Sequence, residues 1–234
     1  MSPTPSVCRL ACRSRSNIWG GDEAVSDVLV IGAGGHARCV VDTLTAAGHR
    51  VVGVVGREMS ASNVLGVPVV GTDDDLARLK STVTSNAALG IGSVGSTAAR
   101  RRAAVLAIEA GLGFEAVVHP AATVSPFASV GRGAYIAAGA IVGPGVRLGE
   151  FSIVNSGAVV DHDCEIGAFA HVAPGAVLAG DVRVGDDAHI GAGASVIQGL
   201  MVGARSLVGA GSVVTKDIRA DVVAFGNPCR VKRG

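Results

Sequence analysis

Aromatic side chains make up only 3% of this 234-residue chain: five Phe, one Tyr and one Trp. So few rings exclude a core built on large aromatic groups. The 49% hydrophobic content falls instead to Ala, Val, Leu and Ile, which suit thin, regularly stacked layers. Excess charge is equally scarce, since 20 Lys and Arg against 19 Asp and Glu leave a net charge of +1 with no long run of either sign. That balance argues against nucleic acid or an anionic membrane as partner. No apolar stretch approaches the ~20 residues of a membrane-spanning helix. The cysteines (Cys8, Cys12, Cys39, Cys164, Cys229) form no CxxC pair and are odd in number, as expected of reduced thiols in a cytoplasmic protein. Residues 1–26 carry several arginines but no continuous apolar core, so they read as a disordered leader and not as a secretory signal.

What the chain has in abundance is glycine, 34 residues of it, and a period of six. From Val124 to Val214, every sixth position is Val, Ile or Leu, sixteen in succession without a miss. Two positions before each stands a small residue, as at Ala134, Ala140, Ser152, Ala158 and Cys164, with Val146, Val182 and Leu200 the exceptions. Glycine often follows, as at Gly131, Gly143, Gly167 and Gly191. Six is the period of neither a helix face nor simple strand alternation. It fits a short strand, an inward aliphatic side chain and a bend, three of which close an eighteen-residue triangular coil. Small residues at the second inward position keep the prism narrow, and the glycines are expected to supply backbone freedom at its corners. Sixteen hexads give a little over five coils, roughly 25 Å of prism. The period does not set the hand of the coil, and parallel crossovers are normally right-handed.

Residues 27–117 read differently, as a small Rossmann-type α/β unit. Strands are expected at Val28–Ile31, Val51–Val55 and Ala87–Gly92, with helices to about Ala47, over Asp73–Lys80 and over Thr97–Ala110. The turn Gly32-Ala33-Gly34-Gly35-His36-Ala37 lets a phosphate approach backbone amides at a helix N-terminus. A dinucleotide enzyme also needs an acid at the end of the second strand, where this chain has Gly56-Arg57 with Glu58 just beyond. The unit is too short for two nucleotide-binding halves. A phosphate-bearing or uridylyl-type ligand is therefore favoured over NAD, with a purely structural turn as the alternative.

Candidate bases within the repeat are His162, His171 and His189. His162 lies in Asp161-His162-Asp163, between carboxylates able to raise its basicity and fix its tautomer. His171 and His189 are eighteen residues apart and stack on successive coils, and His189 is expected to face solvent or a neighbour. His162 is nine residues from His171, half a coil away, so one prism does not bring the two together, whereas prisms packed side by side do. His119 and His49 read as structural or surface residues.

The GAGGHA turn, the His119-Pro120 junction, the stretch NSGAVVDHDCEIGAFAHVAPGAVLAG and the closing Phe225-Gly226-Asn227-Pro228 together resemble one family. It comprises the sialic acid O-acetyltransferases and the bacterial N-acetyltransferases of nucleotide-linked 4-amino-4,6-dideoxy sugars. The resemblance implies a Rossmann-like domain over 27–117, a left-handed parallel β-helix over 118–234, acetyl-CoA as cosubstrate with no metal, and a homotrimer with sites between subunits. It implies His162 as general base, with the following acid, usually Glu and here Asp163, increasing its basicity. The shorter side chain leaves a direct hydrogen bond open. By the same carry-over His171, Ala192 and Ala210 contact acetyl-CoA, while Gly34, Gly35, His36 and Gly92 hold a nucleotide sugar. Relatives often carry acids where Gly56-Arg57 stands. N-acetylation of a nucleotide-linked amino sugar is the leading expectation, with O-acetylation of a sialic acid as alternative. The competing readings are a zinc-dependent carbonic anhydrase of the same fold, whose close histidine pair is missing here, and a non-catalytic nucleotide sensor.

Overall fold

The computed structural model describes residues 25–57 and 62–232. The leader expected over 1–26 falls outside them except for its last two residues, as do Glu58, Cys8 and Cys12. The N-terminal unit contains β1 (Asp27–Ile31), α1 (Gly35–Ala46), β2 (Arg50–Gly56), β3 (Asn63–Val64), β4 (Val67–Thr72), α2 (Leu76–Thr82), β5 (Asn86–Leu89), α3 (Ala98–Glu109) and β6 (Gly113–Phe114). A 3₁₀ turn, Asp73–Asp75, leads into α2. The sheet order is β3-β4-β2-β1-β5-β6, parallel except for the short β3–β4 hairpin. Alternate residues of β1 serve opposite faces. Val28 and Val30 pack with Val40, Val41 and Leu44 of α1, whereas Leu29 and Ile31 pack with Leu76, Leu79, Ala103 and Ala107 of α2 and α3.

The sequence reading missed β3, β4 and β6, and β5 ends at Leu89, not Gly92. After Gly90, whose amide still bonds the Ile31 carbonyl at 2.8 Å, the chain leaves the sheet to reach the second domain.

That domain is a left-handed parallel β-helix of two- and three-residue rungs stacked into three sheets. Its first rung is Val117–Val118, one hexad before the series expected from Val124. The inward aliphatics and the small residues two before them form one core, with Ala140, Val154, Val160, Val172, Val184 and Ile190 all fully buried or nearly so. Each such Val or Ile contributes about 1.5–3 kcal/mol on burial. The glycines that follow them act otherwise than expected. Gly131 and Gly191 do not have positive φ; a Cβ on either would lie 2.8 Å and 2.5 Å from backbone of the next coil. They are required by the close approach of coils, and the left-handed corner residues come two positions later, as at Gly133 and Gly193.

The three outer faces differ in chemistry. One face presents Val117, Tyr135, Ile153, His171, His189 and Leu207, and the α/β unit packs on it: Tyr135 and Ile153 join the core beneath α1, and Phe151 and Phe169 at its edge join the core beneath α3. A second presents Thr123, Ile141, Val159, Val177, Ser195 and Val213, with Ile141 and Val177 45% and 41% exposed. The third carries Arg147, Glu165 and Arg183 in register, with Arg147 ion-paired to Glu165. Among the described residues Cys39, Cys164 and Cys229 form no disulfide. Among the described residues no helix is long and apolar enough to cross a membrane.

Candidate functional site

β1 lies between β2 and β5, where the strand order reverses and the loops leaving adjacent strands open a crevice. Two glycine turns form it. Gly32 has φ +116°, and a Cβ there would stand 2.6 Å from Ile91, so this glycine is demanded by the fold. Gly34 and Gly35 are exposed, with ordinary φ and nothing within 4 Å of where a Cβ would sit. The space before the α1 amides is open, and no side chain caps that end. An anion is favoured there. Gly92 comes from the β5 side, its absent Cβ 3.3 Å from the Cβ of His36.

His36 points away from the turn toward the β-helix, its ring edge-on to Tyr135 at 4.9 Å. Burial, with the charges of Arg100 and His171 adding, pushes its pKa down to about 3. Its Nε2 is buried without a hydrogen-bond partner. His171 continues this junction. Its Nδ1–H donates to the Ser93 carbonyl at 2.8 Å, which leaves Nε2 to accept from the Asn155 amide at 3.1 Å. Burial holds its pKa at about 4, against the opposing pull of the Ser93 bond. Both ring nitrogens of His171, the residue expected to contact acetyl-CoA, are engaged within the chain. His189, expected to face solvent or a neighbour, is half-buried. It meets His171 edge-on at 4.7 Å and borders a polar cavity lined by Ser93, Ser96, Thr97, Asp187 and Ser206. The reason is that the α/β unit covers this face.

His162 occupies a different corner, between the apolar and charged faces, with half its side chain exposed. Its Nδ1–H donates to Asp163 Oδ2 at 2.9 Å, so the shorter acid does reach the imidazole. Asp163 has φ +60°, the corner conformation it shares with Asp181 one coil on, and Asp161 accepts the His162 backbone N–H at 2.7 Å. The Asp163 bond, aided by the charges of Asp161, Asp163 and Asp181, raises the pKa of His162 above its usual value. Nε2 is left free as the basic atom. A Cβ on Gly180, one coil on, would strike Cε1 and Nε2 of this ring. Gly180 was missed from sequence, although it lies eighteen residues after His162.

The remaining corner joins the junction face to the apolar face. Gly139, Gly157, Gly175, Gly193 and Gly211 all have φ between 64° and 70° there, beside exposed Ala192 and Ala210. Backbone geometry alone does not demand glycine, because Phe151, Phe169, Asp187 and Arg205 adopt the same φ at another corner. Gly157, Gly175, Gly193 and Gly211 have nothing within 4 Å of a Cβ position, so the column is an open edge of bare backbone. Asn155 stands at its rim, a second residue to which sequence reasoning gave no role. Its Oδ1 accepts from the Ser156 amide and one Nδ2 hydrogen goes to His171, leaving the other hydrogen free. His119 stays structural, its Nδ1 accepting from the Ala121 amide, and His49 is paired with Ser26.

Two family descriptions match: the PglD N-terminal domain over residues 27–104 and the bacterial transferase hexapeptide (six repeats) over 181–216. No curated protein matches the chain. Among solved structures, perosamine N-acetyltransferase from Caulobacter crescentus, determined as a histidine mutant with CoA and GDP-perosamine, is 38% identical. That match covers 92% of this chain and 100% of that one, with a TM-score of 0.85. The acetyltransferase domain of PglB from Neisseria gonorrhoeae FA1090, with acetyl coenzyme A, is 35% identical over 88% of this chain and 98% of that one, TM-score 0.80. WeeI from Acinetobacter baumannii AYE is 25% identical over 88% of this chain and 100% of that one, TM-score 0.79.

Proposed function

The chain belongs to the hexapeptide-repeat sugar acetyltransferases, and from that premise we propose that it transfers the acetyl group of acetyl-CoA to the amino group of a nucleotide-linked amino-deoxy sugar. The observation that carries this is the His162 imidazole, locked by Asp163 at Nδ1 and free at Nε2 on an exposed corner. An ammonium acceptor loses a proton to bulk base, and the amine attacks the thioester carbonyl while Nε2 takes the second proton. Asp163 stabilises the imidazolium that results. The free Asn155 N–H suits the developing oxyanion. As the tetrahedral species collapses, the C–S bond breaks and the thiolate recovers a proton from the imidazolium. The glycine corner beside Ala192 and Ala210 takes the extended pantetheine arm of CoA, with His171 fixing Asn155 at its rim. Gly34, Gly35 and Gly92, with His36 beneath them, receive the nucleotide diphosphate of the acceptor.

Within one prism the His162 corner and the glycine corner lie at opposite edges of the apolar face. Three copies joined through that face in a cyclic trimer bring the His162 corner of one copy beside the glycine corner of the next. The exposed Ile141 and Val177 supply an apolar contact for it. We place the reaction in the cytoplasm, in keeping with free thiols at Cys39, Cys164 and Cys229.

The test is incubation with acetyl-CoA and GDP-perosamine, following CoA thiol release and the mass of the product. An N-acetyl product is expected. Acetylation of a hydroxyl, or no CoA release with GDP- or UDP-linked amino sugars, overturns the assignment. Sedimentation at assay concentration is expected to give a trimer, and a fully active monomer would contradict the shared site.

A further inference from the structure

Near its start helix α3 carries three successive arginines that have three different fates. Arg102 is exposed. Arg101 pairs with Asp187 at 2.7 Å and lies over the Phe169 ring. Arg100 is only 1% exposed. Its Nε and Nη2 donate to the Phe151 carbonyl at 3.3 and 3.0 Å, and its Nη1 donates to the carbonyls of Ile91 and Leu89. No carboxylate among the described residues forms an ion pair with it.

We propose that Arg100 is a positioning residue of the acceptor site: it fastens the Leu89–Ser93 loop to the β-helix and keeps an uncompensated positive charge behind the crevice that receives the acceptor's diphosphate. This rests on the assignment of that crevice to a nucleotide-linked sugar.

Three observations support it. The loop is pinned at alternate carbonyls, Leu89 and Ile91 by Arg100 and Ser93 by His171, so both clamps act from one side and leave Gly92 facing His36 and the crevice. The far end of the Arg100 clamp is the Phe151 carbonyl, at a β-helix corner, so the loop is set relative to the second domain and not only within its own. A buried cation bonded only to carbonyls keeps its charge uncancelled, an expensive arrangement unless an anion arrives. Burial lowers its pKa only to about 9, so it remains charged at neutral pH. The charge also lowers the basicity of His36, whose Cβ lies beside Gly92 of the crevice, and of His171 at the domain junction. A neutral residue of similar size would fill the space without supplying that field.

The test uses the full chain with GDP-perosamine and acetyl-CoA. Arg100→Met is expected to raise KM for GDP-perosamine about tenfold or more while KM for acetyl-CoA stays within about twofold. NMR titration of the same variant is expected to show the His171 pKa rising with its bonds to Ser93 and Asn155 intact, whereas a rise with those bonds lost would report loosened packing and overturn the role of the charge. Arg100→Lys keeps the charge but spans fewer carbonyls, so its KM for GDP-perosamine falls between the two. If Arg100→Met does not fold, Arg100→Lys decides alone. Wild-type KM for GDP-perosamine in either folded variant overturns the proposal. Gly34→Val separates the two levels. If it raises that KM while the Arg100 variants do not, the crevice assignment stands and the role of Arg100 falls. If none of them raises it, both fall.

Discussion

His162 and His171 stand nine residues apart on the same repeat, yet their environments push them in opposite directions. His162 sits on an open corner against a carboxylate, and its basicity is raised. His171 lies under the α/β unit against a carbonyl and another imidazole, with its pKa held at about 4. One repeating scaffold thus offers a proton acceptor at one corner and a neutral hydrogen-bonding post on an adjacent face. What separates them is the second domain that covers the His171 face and, at His162, the carboxylates that flank it in sequence.

The largest effect that would break this contrast is acid instability. His36 and His171 titrate at about 3 and about 4 in the folded chain but near 6.5 when unfolded. As pH falls below about 6.5 the unfolded chain binds protons that the folded chain refuses. Stability fully present above about pH 7 is then lost, by about 2 kcal/mol for each of the two at pH 5. Denaturant unfolding at pH 7.5 and 5 checks this, and equal stability at both would mean these imidazoles are not buried in neutral form. Next, His162→Ala is expected to keep the melting temperature but lose about 100-fold or more in kcat, as removal of a general base does. Near-normal turnover would remove His162 from the mechanism. Gly180→Ala sharpens the contrast without touching a polar group. Its methyl displaces the His162 ring, and kcat is expected to fall about tenfold with KM for acetyl-CoA unchanged. The smallest effect is that of Asp163→Asn. In the wild type the acid limb of kcat/KM lies above the ordinary histidine value because the carboxylate favours the imidazolium, and Asn moves that limb to lower pH. An unmoved limb would assign the raised basicity to Asp161 and Asp181.

The repeat was legible because inward positions obey one rule every six residues, from which the three-sided prism follows directly. The outward positions obey a rule too, but only at eighteen. Val117, Tyr135 and Ile153 form an apolar column that marks the face another domain covers, and His171 and His189 extend it. Read at period six they vanish among surface residues, which is why His189 was expected at the surface. Gly180 falls on the same longer period as His162. The other misses lie beyond any period. Arg100, Arg101 and Arg102 are equivalent as letters, and only the docking of α3 against Phe151 decides which is buried. Asn155 joins His171 across a coil by a side-chain bond that spacing does not encode. The three-residue segment from Gly90 to Gly92 reads as strand, and leaves the sheet where Arg100 of α3 takes the Ile91 carbonyl and His171 of the β-helix takes that of Ser93 just beyond.

The last rungs of the prism bear on solubility. A column of parallel strands ends in unpaired amides and carbonyls that any like column could extend, so a stack without a stop invites growth into filaments. Here Val223–Phe225 continues the parallel series on Leu207–Val208, but Arg230–Val231 returns antiparallel upon it. The terminal edge therefore presents a strand of two residues running the wrong way, carrying Arg230 and followed by Lys232. On that sheet an incoming parallel rung meets a strand of the wrong direction, an obstacle to end-to-end stacking into fibres.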